Sequence, residues 1–422
     1  MSQDLFRKAL SVGRPPNVVQ NFPHSEALIV SGKVIDRAML EKGGAMTIAA
    51  NGRNLFIIEG ALRAAQKANA AIIIEIARSE ATYCPTTLWN IARRVDYLCN
   101  MLGITVPVAV HADHYYMKKW EDVAEAKAEI PSLFDTGITS IAIDASHMTD
   151  DLNLLANIAV SSAIPSWAGY ETEIGEIKGS FGLSTPVEAK YLCQGLNAHG
   201  LCPDWIALNN GTTHGIEASG TGIQVELTAD IHKALAPYGT SGAQHGTSGN
   251  DSQRLREIAA KTQTTKANVA TALQMISWGV RVNDFGNAIM TEDGRFDKVA
   301  GEGVEDTLWA EMVAYADERK LKGGDYKKLN LPFERRWQGQ NKRVRERMAG
   351  AVEDFVHHLL VDVFNAADTA PIACELLVKA GSHDLGPKVD FFENPADWTE
   401  EKIKARAAEI NTDKGPKGDF DD

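Results

Sequence analysis

The sequence has 422 residues, 43 of them basic and 56 acidic, which gives a formal net charge of −13 at pH 7. This acidic balance argues against a general binder of nucleic acid or of anionic membranes, but it is compatible with a local basic pocket for a phosphate. The chain contains no apolar run long enough to cross a bilayer, and its start lacks the layout of a secretory signal. We therefore expect no nucleic-acid partner and no membrane partner.

The five cysteines are scattered and contain no C-x-x-C pair; they are Cys84, Cys99, Cys193, Cys202 and Cys374. An odd, unpatterned set is typical of reduced thiols in the cytoplasm. We expect a cytoplasmic protein in which most of these thiols pack as small core side chains.

A regular alternation of strands and helices begins near residue 45. We predict eight strands, at 46–50, 70–76, 106–110, 140–143, 164–174, 205–208, 241–244 and 280–283. Helical spacing is found between them, at 55–68, 86–102, 120–134, 150–160, 186–197, 228–235 and 251–277. Eight such units predict an α/β fold of the (β/α)₈ TIM-barrel type over residues 45–284.

The segments outside the barrel differ from it in composition. Residues 1–44 form an N-terminal segment, and residues 285–410 are polar and mostly helical, which predicts a helical C-terminal extension. The amphipathic stretch 341–365 is expected either in a subunit interface or across the barrel floor. Residues 411–422 form a charged tail that we expect to be disordered.

Polar side chains gather where the predicted strands end. They are His111, Asp113 and His114 after the third strand, Asp144 after the fourth, Glu171 and Glu173 after the fifth, His214 after the sixth and His245 after the seventh. A barrel places these strand ends around one funnel, so residues distant in sequence become neighbours.

These residue types suit a metal centre. Three imidazoles with an open position are typical of a catalytic Zn²⁺ or another borderline divalent ion. A single histidine at a strand end is more often a hydrogen-bonded structural group, and Glu-x-Glu is commonly a solvated strand face. The joint occurrence at consecutive strand ends favours the metal site, with Asp113 placed for proton transfer.

Five motifs occur in an order that resembles the class II, zinc-dependent fructose-bisphosphate aldolases. They are His111-Ala112-Asp113-His114, Asp144-x-Ser146, Glu171-x-Glu173-x-Gly175, Thr213-His214-Gly215 and His245-Gly246-x-Ser248-Gly249. The resemblance spans the barrel and, loosely, the helices around 325–365. It implies aldol cleavage in which Zn²⁺ polarises the ketone of a bound ketose phosphate and then stabilises the enediolate.

The resemblance also assigns roles to single residues. It implies that His114, His214 and His245 are zinc ligands, that Asp144 and Glu173 lie near an alternative metal site, and that Asp113 exchanges a proton with the hydroxyl at the aldehyde carbon. Contacts to the sugar-phosphate substrate are expected from Gly215, Gly246, Ser248 and Asn283, and an anion contact from Arg78. A monovalent cation is a second candidate cofactor, and a homodimer or homotetramer is expected.

The chain departs from the family pattern at two phosphate- and proton-handling positions. In the family, a glutamate in the loop after the fifth strand acts as the enolisation base. The matching region of this chain has Ser180 and Phe181 instead, and Glu176 is the nearest acid. The Asp-Thr pair that grips one phosphate is not matched after Asn283. Both departures weaken the assignment of the substrate more than that of the metal site.

Several other functions remain open from the sequence. A class II aldolase with another sugar-phosphate substrate fits the motifs, and a metal-retaining accessory subunit without activity is favoured by the missing loop acid. A metallohydrolase is disfavoured because the first strand ends in Ala49-Ala50-Asn51 instead of His-x-His. A Schiff-base aldolase is disfavoured because the predicted strands contain no lysine.

Overall fold

Eight parallel strands close into a barrel in which each strand is followed by a helix. A computed structural model of the chain describes residues 1–175, 182–212, 222–284 and 286–410. The strands are β1 (Thr47–Asn51), β2 (Ile72–Ala77), β3 (Val108–Tyr116), β4 (Ser140–Asp144), β5 (Gly169–Ile174), β6 (Trp205–Leu208), β7 (Ser241–Gln244) and β8 (Thr264–Val269). Their order around the barrel is their order in the chain, and the predicted (β/α)₈ fold is confirmed.

The helices fall into three groups. Those before the barrel are α1 (Gln3–Gly13), α2 (Pro16–Asn21) and α3 (Gly32–Lys42). Those of the barrel are α4 (Leu55–Ala68), α5 (Ile91–Leu102), α6 (Asp122–Asp135), α7 (Asp150–Val160), α8 (Pro186–Ala198), α9 (Val225–Leu235), α10 (Ser252–Lys261) and α11 (Thr271–Trp278). Those of the extension are α12 (Asp306–Glu318), α13 (Asn330–Gln338), α14 (Lys342–His358), α15 (Thr369–Ala380) and α16 (Glu400–Ala408). Among the described residues, no helix combines the length and apolar character needed to cross a membrane.

The prediction of the eighth strand at 280–283 was wrong. The strand that closes the barrel is β8, which pairs with β1 and β7 and lies within the stretch predicted as helix. The error has a physical cause: Lys266 and Asn268 make this strand look like a polar helix surface, yet both side chains contact residues of other strands inside the barrel. Residues 280–283 lie outside it and pair with Lys298 and Ala288.

The extension packs against the barrel wall through α14. A Cβ at Gly60 of α4 would lie 2.5 Å from the carbonyl oxygen of Ala349 and 2.6 Å from Val352 Cβ, so only glycine permits this close approach. Val352 and Val356 belong to the same apolar core as the barrel helices. The stretch 341–365 therefore covers the side of the barrel and not its floor; its place in a subunit interface stays a prediction.

The amino end of the barrel is closed by a lysine of the extension. The Lys388 Nζ donates to Asp36 Oδ2 at 2.6 Å, to the Asp204 carbonyl oxygen at 2.9 Å and to Ser241 Oγ at 3.1 Å. The other Asp36 oxygen accepts from Thr265 Oγ1 at 2.6 Å. We call Asp36, Asp204, Ser241, Thr265 and Lys388 the floor cluster. The predicted tail, 411–422, lies outside the described residues.

Candidate metal centre and active-site cavity

A cavity of about 690 Å³ opens at the carboxyl ends of the strands. Its wall includes Asn51, Glu75, Asp113, His114, His245, Gly246, Ser248, Asn268 and Thr271 from the barrel. The extension contributes Lys322, Gly323, Gly324, Asp325 and Lys327. The cavity thus lies where barrel enzymes build their sites, and the extension forms part of its rim.

A bulge in β3 places Asp113 and His114 at the cavity. The register with β4 shifts between Ala112 and Tyr115, and His114 adopts a φ of 43°, in the left-handed region. For a residue other than glycine this conformation costs about 1–3 kcal/mol and persists only when the surroundings enforce it. The bulge turns two consecutive side chains, Asp113 and His114, towards the cavity.

Two histidine rings and three carboxylates converge beside the cavity. His114 and His245 lie with ring centroids 4.4 Å apart, and both rings are almost fully buried. The His114 Nδ1 lies 3.2 Å from Glu173 Oε1 and 3.6 Å from Asp144 Oδ2. Asp113 Oδ2 lies 3.8 Å from His114 Nε2. The predicted residues of β3, β4, β5 and β7 are therefore brought together.

The donor set fits a divalent metal ion. Ligand-type atoms of Asp113, His114 and His245 lie within 4.8 Å of one another, and so do those of His114, Asp144 and Glu173. Within the described part of the chain, the buried His245 Nδ1 makes no hydrogen bond, and the buried Glu173 Oε1 has the His114 imidazole as its neighbour without a well-formed hydrogen bond. Leaving such atoms unpaired is costly unless a ligand completes them, which favours a cation at this point.

The electrostatics of the cluster also suit a cation. Burial and the neighbouring Asp144 carboxylate raise the pKa of Glu173 to about 7. Burial opposes the charged form of His114, but the carboxylates of Glu173 and Asp113 outweigh it and raise the pKa of this imidazole well above its usual value. The cluster therefore holds protons at the position where a metal ion would displace them.

Asp113 is held as a carboxylate at the cavity wall. Its Oδ1 accepts from Asn268 Nδ2 at 3.0 Å and lies 3.6 Å from Lys266 Nζ. Burial opposes its ionised form, but His114 and Lys266 lower the pKa of Asp113 well below its usual value. An ionised carboxylate in a cavity can accept a proton from a substrate hydroxyl.

Not every predicted site residue lies at the cavity. Gly246 and Ser248 line it, whereas Arg78 and Asn283 do not. The Arg78 guanidinium instead donates to the Tyr116 carbonyl oxygen and to Glu129, and lies 4.5 Å from the Tyr115 ring centroid, so it supports the exit of the bulged β3. His214 and Gly215 lie outside the described residues, as does Glu176.

The misassigned strand concealed several residues of the site. With β8 at 264–269, Asn268, Ala270 and Thr271 line the cavity at the end of the last strand, where the family resemblance leads us to expect an Asn and an Asp-Thr pair. Thr271 therefore offers a hydroxyl at this point, and Ala270 offers no acid. The run of threonines at 262, 264 and 265 was the β-branched signal that could have identified this strand.

Comparisons with known proteins agree with this geometry. The family model described as fructose-bisphosphate aldolase class-II matches residues 33–319. The fructose-bisphosphate aldolase of Streptococcus pneumoniae is 29% identical over 280 residues, covering 64% of this chain and 88% of the relative. That of Staphylococcus epidermidis is 30% identical over 222 residues, covering 45% of this chain and 72% of the relative.

Solved structures share the fold at low sequence identity. The YdjI aldolase of Escherichia coli K12 superposes with a TM-score of 0.54 at 16% identity, over 81% of this chain and 99% of that one. The fructose-bisphosphate aldolase of Campylobacter jejuni superposes with a TM-score of 0.54 at 18% identity, over 83% and 99%. The family match extends over more than half of the chain and covers all eight strands. The chain belongs to the class II fructose-bisphosphate aldolase family, and it is an aldolase, a carbon–carbon lyase.

Proposed function

We propose that this aldolase reversibly cleaves a ketose bisphosphate such as fructose 1,6-bisphosphate into dihydroxyacetone phosphate and an aldehyde, with a divalent metal ion as cofactor. The observation that carries the proposal is the convergence of Asp113, His114 and His245 at one cavity. His114 and His245 would hold the ion together with His214, which the family resemblance assigns as the third ligand. Zn²⁺ suits three imidazoles with an open position.

Asp113 is proposed to move the proton of the reaction. In the cleavage direction its carboxylate takes the proton from the hydroxyl on the carbon that becomes the aldehyde. The electron pair of the broken carbon–carbon bond passes into the carbonyl of the dihydroxyacetone phosphate fragment, which then takes up a proton at carbon. A bound divalent ion would supply Lewis-acid polarisation of that carbonyl.

The cavity wall suits an anionic substrate. Lys322 and Lys327 stand on the rim contributed by the extension, and the turn 246–248 presents peptide groups and the Ser248 hydroxyl. Ammonium groups, peptide N–H groups and hydroxyls are the donors that proteins use for phosphate. Two such regions on one cavity support a substrate with a charged group at each end.

A related sugar phosphate is the second candidate substrate. The favouring observation is Ala270, which stands where the family has the acid of its phosphate-gripping pair. A panel of ketose mono- and bisphosphates, each assayed for aldehyde release with and without a chelator, separates the candidates. Aldehyde release from fructose 1,6-bisphosphate that is lost with the chelator supports the proposal. Preference for another ketose phosphate supports the alternative substrate. No aldehyde release from any of the sugars supports an accessory subunit.

We further propose a cytoplasmic enzyme that acts as a homodimer or homotetramer. All five cysteines are free, and four of them are buried, as suits a reducing compartment. The assembly state follows from the family resemblance and is measured directly by light scattering on the full chain. A monomer at micromolar concentration would contradict this part of the proposal.

A further inference from the structure

The charged interior of the barrel is centred on a lysine. Lys266 Nζ is fully buried on β8 and lies 2.7 Å from Glu171 Oε2, 3.0 Å from His111 Nε2, 3.5 Å from Glu75 Oε2 and 3.6 Å from Asp113 Oδ1. Glu75, His111 and Asp113 on their own would form a metal-type cluster. The ammonium group stands among them, so this second cluster already contains its cation.

Lys266 reaches the proposed metal ligands through Glu171. One oxygen of this carboxylate accepts from Lys266, and the other accepts from His245 Nε2 at 2.8 Å. Because a carboxylate only accepts, the His245 proton resides on Nε2, and Nδ1 keeps its lone pair. This Nδ1 is the atom without a hydrogen-bond partner in the described part of the chain, 3.8 Å from Glu173 Oε2.

Lys266 also reaches the proposed proton-transfer group. Asp113 Oδ1 lies between the Lys266 ammonium and the Asn268 amide, both contributed by β8. This oxygen is thereby fixed by groups of one strand, while Oδ2 faces His114. A single cation thus borders both parts of the site, the imidazole that would bind metal and the carboxylate that would move the proton.

We propose that Lys266 is a positioning residue that fixes the tautomer of His245 through Glu171 and fixes the Asp113 carboxylate directly. The inference rests on the proposed metal-dependent function. It excludes a Schiff-base role for Lys266, because an amine nucleophile must be neutral and must reach the substrate. Lys266 has three carboxylates and an imidazole around it and does not line the cavity, so its ammonium is retained.

The test uses Co²⁺ binding, which needs no substrate. We expect Lys266→Met to weaken Co²⁺ binding about 10–100-fold, the usual effect of removing a group that orients a metal ligand. We also expect it to alter the visible absorption of the bound Co²⁺ and to lower kcat more than it raises KM. The matched control is Lys388→Met in the floor cluster, which removes another lysine that pairs with a buried carboxylate and should leave the Co²⁺ spectrum and affinity unchanged.

A double variant keeps the test valid if Lys266→Met fails to fold. Lys266→Met with Glu171→Gln removes one charge of each sign, and the glutamine oxygen can still accept from His245. We expect this variant to fold, to recover most of the Co²⁺ affinity and to keep the low kcat, because Asp113 still lacks its cation.

Two outcomes would overturn the inference separately from the proposed function. A folded Lys266→Met protein with wild-type Co²⁺ affinity, spectrum and kcat would refute the positioning role alone. Wild-type protein that binds no Co²⁺ would refute the proposed metal site, and the positioning role with it.

Discussion

The two ends of the barrel each contain a buried lysine among carboxylates, and they differ in how completely their polar atoms are paired. In the floor cluster, Lys388 has three acceptors and both Asp36 oxygens accept a hydrogen bond. At the carboxyl end, buried atoms of Glu75, Glu173 and His245 make no hydrogen bond within the described residues. A complete hydrogen-bond network stabilises the fold, whereas buried polar atoms without a partner beside a cavity indicate a ligand-binding site.

The backbone departs from regular strand pairing at both ends of the barrel. At the carboxyl end β3 is bulged and His114 has a left-handed φ, and beside the floor cluster the register of β7 with β8 shifts between Gly242 and Ala243. Among the described residues other than glycine, His114 has its left-handed φ within a strand, whereas Asn69, Lys320, Asn365 and Asp368 have theirs outside the strands. His114 keeps this conformation because its own surroundings, including Asp144 and Glu173, enforce it.

The largest effect should come from removing a proposed metal ligand. His114→Ala or His245→Ala should abolish bound metal and aldol cleavage together, because neither remaining donor set closes around the ion. His214→Ala is expected to do the same. Metal content by mass spectrometry and aldehyde release check this.

The matched control for these variants is a buried histidine remote from the cavity. His232 on α9 accepts a hydrogen bond from the Gln263 N–H. His232→Gln should retain both metal and cleavage. Loss of metal in this control, or metal retained at full occupancy in His114→Ala and His245→Ala, would contradict a metal site at the carboxyl end of the barrel.

Removal of the proposed proton-transfer group should separate metal binding from turnover. Asp113→Ala should retain the metal and slow kcat by about 10²–10⁴-fold, the usual contribution of a general acid–base group. Steady-state kinetics and metal analysis of the same sample check this. Unchanged kcat would exclude Asp113 from the mechanism.

Removal of the floor lysine should cost stability and leave the chemistry intact. Lys388→Met leaves the buried Asp36 without its cation, which should lower the free energy of unfolding by about 3–5 kcal/mol. Urea unfolding measures the loss, and kcat of the folded protein should stay within twofold of wild type. A stable variant with impaired kcat would reverse the roles assigned to the two clusters.

Metal binding at the carboxyl end should respond to pH near neutrality. The pKa of Glu173 is raised to about 7, and a metal ion must displace its proton. The imidazole of His114, whose pKa is also raised, must lose its proton as well, so metal affinity should rise with pH and fall by at least about tenfold per pH unit below pH 7. Titration of Co²⁺ between pH 5.5 and 8 measures this, and a pH-independent Kd would contradict it.

The smallest effect should come from the cavity rim. Lys322→Ala or Lys327→Ala should raise KM about tenfold with little change in kcat, because each removes one charged contact of about 1.5 kcal/mol from a bound anion. Lys328, which pairs with Asp325 and does not line the cavity, is the matched control. Equal KM values in all three variants would place the phosphate elsewhere.

The sequence predicted best those parts of the fold and site whose residue pattern repeats along the chain. The regular alternation of strands and helices predicted seven of the strands. Polar residues at the strand ends predicted the converging residues from Asp113 to His245. Both signals depend only on local pattern. Lys266 and Asn268 could not be found in this way, because a barrel interior that carries charge removes the apolar signal of its strand. The bulge at His114 also has no local signature, because the register with β4 and the contacts of Arg78 impose it.

The most direct measurement is a metal titration of chelator-treated protein, with aldehyde release from fructose 1,6-bisphosphate recorded at each point. One equivalent of Zn²⁺ per chain should restore cleavage in full, and Asp113→Ala should take up the same equivalent without recovering cleavage. Full cleavage by the metal-free protein, or one bound equivalent that restores cleavage of no ketose phosphate, would contradict a metal-dependent aldolase built on His114 and His245.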